Sequence, residues 1–146
     1  MKLSARGRHS VEAMFDLAMH YSESPILIKD VAGRRRISEQ YLAQLFIPLR
    51  IAGLVRSVRG AKGGFVLARD PAEIRLSDVI KATEGSTAPT ECVDDPRVCW
   101  KGGSCITRGV WSEIKSATDQ ILEGITLAEL VERWQDSGLP EVPEAV

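Results

Sequence analysis

The apolar residues Val11, Met14, Phe15, Ala18 and Met19 recur at three- and four-residue spacing near the start of the chain. That period predicts an amphipathic helix over residues 4 to 21. Ser22 to Pro25 break it, and Ile28 to Arg35 read as a second, short helix running into three consecutive arginines. Ser38 is a suitable N-cap for a third helix beginning Glu39-Gln40-Tyr41-Leu42, with the acid in the first turn where the macrodipole favours it. Pro48 falls inside this pattern and is expected to kink the helix or divide it near Phe46, because proline lacks the amide donor and crowds the preceding turn.

Gly53 is placed to end the third helix. Two β-prone runs follow, Leu54 to Val58 and Phe65 to Ala68, around a basic, glycine-rich tip from Arg59 to Gly64. Such runs predict a hairpin with a longer loop. Three helices followed by a two-stranded hairpin is the order of a winged helix-turn-helix, which sets one helix in the major groove of DNA and leaves the hairpin free to reach the adjacent backbone or minor groove. Ser77 then caps a short helix from Asp78 to Glu84, closed by Gly85. Residues 85 to 106 show little sign of regular structure. From Thr107 to Leu122 the stripe Val110, Ile114, Ala117 and Ile121 predicts a long amphipathic helix needing a core or a second subunit to cover it. Gly124 ends it, Thr126 caps a last helix to Trp134, and residues 135 to 146 read as a flexible tail. The expected fold class is mainly α with a small β-hairpin.

Charge sharpens this picture. The whole chain of 146 residues has a formal net charge of −1. Residues 1 to 70, however, carry twelve basic and six acidic side chains, net +6, and the remainder is net −7. A basic first half suits a polyanion such as double-stranded DNA. No run of eighteen apolar residues suggests a membrane span, and MKLSARGRHS lacks the apolar stretch of a signal peptide, so the expected compartment is the cytoplasm. Paired carboxylates, a nucleophile elbow and a phosphate-binding loop are all missing, and GAKGG sits at a hairpin tip instead of opening a helix, so an enzyme is not expected.

All three cysteines, Cys92, Cys99 and Cys105, fall within fourteen residues with spacing C-x(6)-C-x(5)-C. An odd count in a reducing compartment argues against a disulfide framework. Structural zinc sites usually present cysteine pairs two to four residues apart, so these gaps suit a loop wrapped around a larger, soft-ligand object such as an iron-sulfur cluster. Gly102 and Gly103 let that loop bend, while Arg97 and Lys101 offset thiolate charge. Zinc binding and metal-free thiol sensing stay open as alternatives.

The segments KLSARGRHSVEAMFDLA, ISEQYLAQLFIPLRIAGLVRSVRGAKGGFVLAR and LSDVIKATEG, with three cysteines before a long helix, resemble the IscR/Rrf-type family of bacterial transcription regulators across roughly residues 2 to 122. The resemblance implies a homodimer whose winged helices bind a palindromic operator. It also implies an iron-sulfur cluster on Cys92, Cys99 and Cys105, with 2Fe-2S favoured and 4Fe-4S as the alternative. On this footing residues 1 to 84 are the winged helix-turn-helix domain, 85 to 106 the cluster-binding loop, and 107 to 134 the dimerisation helix and short C-terminal helix.

The fourth ligand departs from the family pattern. Relatives place a histidine three residues after the last cysteine, an acid on the partner's first helix, or a glutamate in the third helix. This chain has Arg108, Arg8 and Ala43 at those positions. His9 or Glu12 of the partner subunit, Glu91, Asp94 or Asp95 in the loop, or an exogenous group then remain as candidates. Within the same class, a nitric-oxide sensor and a cluster-free repressor of cysteine metabolism are the rival readings. An iron-sulfur electron carrier is the rival from another class, and it leaves the wing and the basic first half unexplained.

For DNA, Ser38 and Tyr41 are placed to reach phosphates, while Glu39, Gln40 and Gln44 project toward base edges, where glutamine suits adenine and glutamate suits cytosine. Tyr41 suits a core position equally well. Alanine at position 43 should leave a less discriminating helix than a carboxylate there. Arg50 and Arg56 add basic flanks. Arg59, Gly60 and Lys62 form the wing tip, with Arg59 long enough for a narrow minor groove.

Overall fold

The computed structural model describes residues 1–21 and 24–141. Ser22 and Glu23, at the predicted break, and residues 142–146 of the predicted tail lie outside the described residues. Helix α1 spans Ala5–Met19 and is capped by Ser4, whose hydroxyl accepts from the Gly7 N–H. Helix α2 spans Ile28–Arg35, and α3 spans Glu39–Ile51 with the Ser38 hydroxyl accepting from the Tyr41 N–H at 3.1 Å. Strands β1, Val55–Val58, and β2, Gly64–Leu67, pair antiparallel with Val55 opposite Leu67. Then come α4, Leu76–Thr83, the single turn α5, Glu91–Asp94, the long α6, Ile106–Gly124, and α7, Leu127–Ser137. The fold is mainly α with a small hairpin, as the pattern predicts.

Pro48 does not divide α3, which runs unbroken from Glu39 to Ile51. Proline removes one amide donor, but Leu42, Leu45, Phe46 and Leu49 are all buried around it, and the Pro48 carbonyl still accepts from Ala52 at 3.0 Å. Burial of four large side chains outweighs one lost hydrogen bond. The helix then ends as the glycine predicts. Gly53 takes a left-handed φ of 74°, its N–H reaches the Arg50 carbonyl, and the Leu54 N–H reaches Leu49 at 3.0 Å. This double bond is a Schellman motif with Leu49 and Leu54 as its apolar contact.

Three other boundaries differ from expectation. Ser77 lies inside α4 instead of capping it, because the Asp78 carboxylate accepts from the Arg75 N–H at 2.9 Å and starts the helix two residues earlier. The cysteine segment is more regular than predicted, with α5 and 3-10 turns at Pro96–Val98 and Gly102–Ser104. Helix α7 continues past Trp134 to Ser137 and stops at Gly138, which adopts left-handed backbone.

The core joins the first three helices, the hairpin, α4 and α7. Met14 and Leu17 of α1, Val31 of α2, Val79 of α4 and Leu127 of α7 are fully or almost fully buried beside the α3 residues. The α6–α7 link is fastened to the start of α4, where Leu76 N–H donates to Ile125 and Leu127 N–H to Ile74, each at 2.9 Å. Helix α6 itself contributes no buried residue.

Candidate nucleic-acid interface and thiol site

The recognition surface starts with the cap. Ser38 fixes the first turn of α3, so Glu39, Gln40, Gln44 and Arg50 all stand exposed on the side away from the core. Tyr41 is half-buried and packs on the core. Its ring meets His9 of α1 edge-on at 5.6 Å, with the hydroxyl 3.5 Å from the His9 Nδ1.

The wing is held on two sides. Phe65 of β2 stacks on Phe46 of α3 with ring centres 4.4 Å apart. Ile26, ahead of α2, exchanges backbone hydrogen bonds with Phe65 at 2.8 and 2.9 Å, adding a bridge to the hairpin. A side chain at Gly64 would collide with the Ile26 carbonyl, whose carbon lies 2.6 Å from the Cβ position, so only glycine allows this approach. Arg56, Arg59, Gly60 and Lys62 are exposed along the strand and tip, and Gly60 has a φ of 107°. The ten residues predicted for DNA thus fall on α3 and the adjoining hairpin, nine of them in the open and Tyr41 beneath them.

Two of the three consecutive arginines do not belong to that surface. Asp16 of α1 is completely buried and accepts from Arg34 through Nε at 3.0 Å and through its terminal nitrogen at 2.7 Å. The Arg35 Nε donates to the same carboxylate at 2.8 Å. Arg36 then turns through left-handed backbone, φ 54°, into the Ser38 cap. Asp16 therefore fixes the end of α2 and, through that turn, the setting of α3. Sequence reading missed this cluster; its one signal was an acid amid the apolar residues of the first helix.

The thiols are all free and half-buried. Cys92 lies 3.0 Å from the Thr90 hydroxyl, and Cys105 lies 3.2 Å from that of Thr107. Cys105 caps α6, and the Thr107 hydroxyl, followed by the Arg108 backbone N–H, holds its thiol pKa below the usual range. Among the described residues, no three His, Cys, Asp or Glu side chains are gathered closely enough to hold a metal ion. The donors fit a soft metal by chemistry, being three unpaired sulfurs, and the backbone at Gly102 and Gly103 is uncrowded, a side chain at either meeting nothing within 4 Å. Of the other candidate ligands, His9 is turned to Tyr41, Glu12 lies 3.7 Å from Arg8, and Asp95 is engaged by Arg97 at 2.9 Å. Arg108 is half-buried, with one terminal nitrogen shielded from solvent and lacking a hydrogen-bond partner.

Residues 3–133 match the family profile Rrf2, described as iron-dependent transcriptional regulator. The chain belongs to the Rrf2 family. It is 43% identical over 131 residues to the HTH-type transcriptional regulator IscR of Aliivibrio salmonicida, covering 90% of this chain and 77% of that protein. Among solved structures it resembles T. potens IscR, with a TM-score of 0.79 and 38% identity over 96% of this chain and 93% of the other. It also resembles CymR, the global cysteine regulator of B. subtilis, with a TM-score of 0.77 and 37% identity over 91% and 98%.

This Rrf2 protein is therefore a DNA-binding transcriptional regulator with a winged helix-turn-helix, and its relatives are regulators, not enzymes. Among its described residues no helix is long and apolar enough to cross a membrane.

Proposed function

We propose that this Rrf2 protein is a dimeric, sequence-specific repressor that reads a palindromic operator and responds to an iron-sulfur cluster. Residues 1 to 84 form the reading head. One observation carries the DNA assignment: α3 and the basic wing, each with its polar and basic residues exposed, are held together by the stack of Phe46 on Phe65. Glu39, Gln40 and Gln44 meet base edges in the major groove, Ser38 and Arg50 meet phosphates, and Arg56, Arg59, Gly60 and Lys62 follow the backbone into the adjacent minor groove. A target of this kind places the protein in the cytoplasm.

Helix α6 supports the dimer. It exposes Val110 and Ile121 along an apolar stripe and buries none of its nineteen residues. A second copy is the partner that covers such a stripe. Cys92, Cys99 and Cys105, in the loop from 85 to 106, would hold the cluster through their thiolates, with 2Fe-2S favoured over 4Fe-4S. Bound there, it supplies an iron-dependent, redox-active signal. Because Cys105 is also the cap of α6, whatever fixes the loop fixes the end of the helix that joins the two reading heads.

Anaerobic expression followed by iron and sulfide analysis, with visible absorption and Mössbauer spectra, tests the cofactor. Iron and sulfide together with a protein-bound spectrum are expected, and zinc without sulfide overturns the assignment. The likeness to CymR favours a second reading, a cluster-free regulator of cysteine metabolism. Metal-free protein that still binds its operator after anaerobic preparation would select it.

A further inference from the structure

The outward face of α3 carries an apolar seam that its polar residues leave unexplained. Ala43, Ile47 and Ile51 stand four residues apart and line up along the helix. Ala43 is exposed, and Ile47 and Ile51 keep 41% and 80% of their surface open, although the inward face is already filled by Leu42, Leu45, Phe46 and Leu49. Ile51 in particular leaves most of its apolar surface in water, a cost that the packing of the fold does not account for.

At 3.6 residues per turn, Glu39, Gln40, Ala43, Gln44 and Ile47 share less than half the helix circumference. If Glu39, Gln40 and Gln44 face base edges, Ala43 and Ile47 face them too. The thymine C5-methyl is the apolar group on the major-groove edge. Arg50 on the same helix and Arg56, Arg59 and Lys62 on the adjoining hairpin are all exposed, and Glu39 is the one acid on α3, so charge favours a polyanion at this part of the molecule.

We propose that Ala43 and Ile47 read thymine methyl groups in the operator, so that sequence preference is set partly by apolar contact and partly by the neighbouring glutamines. The inference rests on the placement of α3 in the major groove.

The full-length protein is used to recover duplexes from a randomised pool, and the tightest is resynthesised with deoxyuridine in place of each thymine in turn. This exchange removes one methyl and leaves every hydrogen-bonding group. At one or two thymines per half-site, binding at fixed salt should weaken about fourfold for each buried methyl. Ile47→Ala should erase the thymine-over-uracil difference at one of those positions, and Ile47→Val should keep most of it. Equal binding of every deoxyuridine duplex overturns the proposal while DNA binding stands. A difference as large in Ile47→Ala as in the wild type removes Ile47 from it. Unchanged discrimination with loss of the dimer in light scattering assigns the seam to a second copy of the chain. Enrichment of no duplex rejects the major-groove placement itself.

Discussion

Replacing Asp16 by alanine removes the carboxylate that Arg34 and Arg35 share inside the helix-turn-helix. Asp16 has no exposed side-chain surface, and the two arginine side chains retain only 14% and 12%. Taking away one partner of a buried ion pair costs about 3–5 kcal/mol, because the remaining charges lose their compensation while staying shielded from water. A domain of this kind has a total stability of about 5–15 kcal/mol, so the loss is a large share of it. With a urea dependence of about 2 kcal/mol per molar, the unfolding midpoint should drop by about 2 M. Urea titration followed by circular dichroism measures this directly. Glu129→Ala is the control: Glu129 and Arg133 pair at 2.7 Å on the surface of α7, and losing an exposed helical pair costs about 0.5 kcal/mol at most. Asp16→Asn should fall between the two, since it keeps an acceptor and loses the charge. A midpoint for Asp16→Ala no lower than that for Glu129→Ala would refute the view that this cluster fixes α2 against α1.

Three further outcomes are expected. Gly64→Ala should break the bridge to Ile26 and lower the thermal midpoint, since φ is 152° and the Ile26 backbone fills the Cβ position; an unchanged melt would mean the hairpin can shift at no cost. Arg59→Ala should weaken operator binding in gel-shift titrations and reduce the slope of log affinity against log salt by about one, and full-strength binding would remove the wing from the interface. The Asp119 carboxyl, which accepts from Lys115 at 2.6 Å and from the Thr87 hydroxyl, is held below its ordinary value of 3.8, by Lys115 first and Thr87 second. Its contribution is complete above that value and disappears as pH falls through the lowered folded one, so the stability gap between wild type and Asp119→Asn should be full at neutral pH and close below about pH 4. A gap that persists into strong acid would contradict this.

Local signals in the sequence were sufficient for the elements that depend on local chemistry. The span Ile28–Arg35, the Ser38 cap, the Gly53 stop and the hairpin around Arg59 follow from residue type and spacing within a few positions, and the structure has each of them. What could not be read depends on partners distant in the chain. Pro48 stays helical because of side chains packed from other elements, and α7 docks on the core through the backbone of residues 74 to 76. Asp16 finds Arg34 and Arg35 eighteen and nineteen residues away. The residues proposed to meet DNA could be picked out because an exposed helix face and a glycine-rich tip leave a mark in residue type and spacing, and the structure leaves nine of those ten exposed. The thiols were legible as a set through their clustering, but periodicity says nothing about how a loop of short turns arranges its sulfurs.

The bridge between Ile26 and Phe65 also bears on how quickly the protein finds its site. A hairpin tied on one side to the extended residue Ile26 and on the other to α3 gives up its conformational freedom during folding, before any DNA arrives. Association then resembles the docking of a preorganised body, with little further ordering to oppose it. Substitutions in the stretch just before α2, remote from every base, would act there chiefly as changes in association rate and in the entropy of binding.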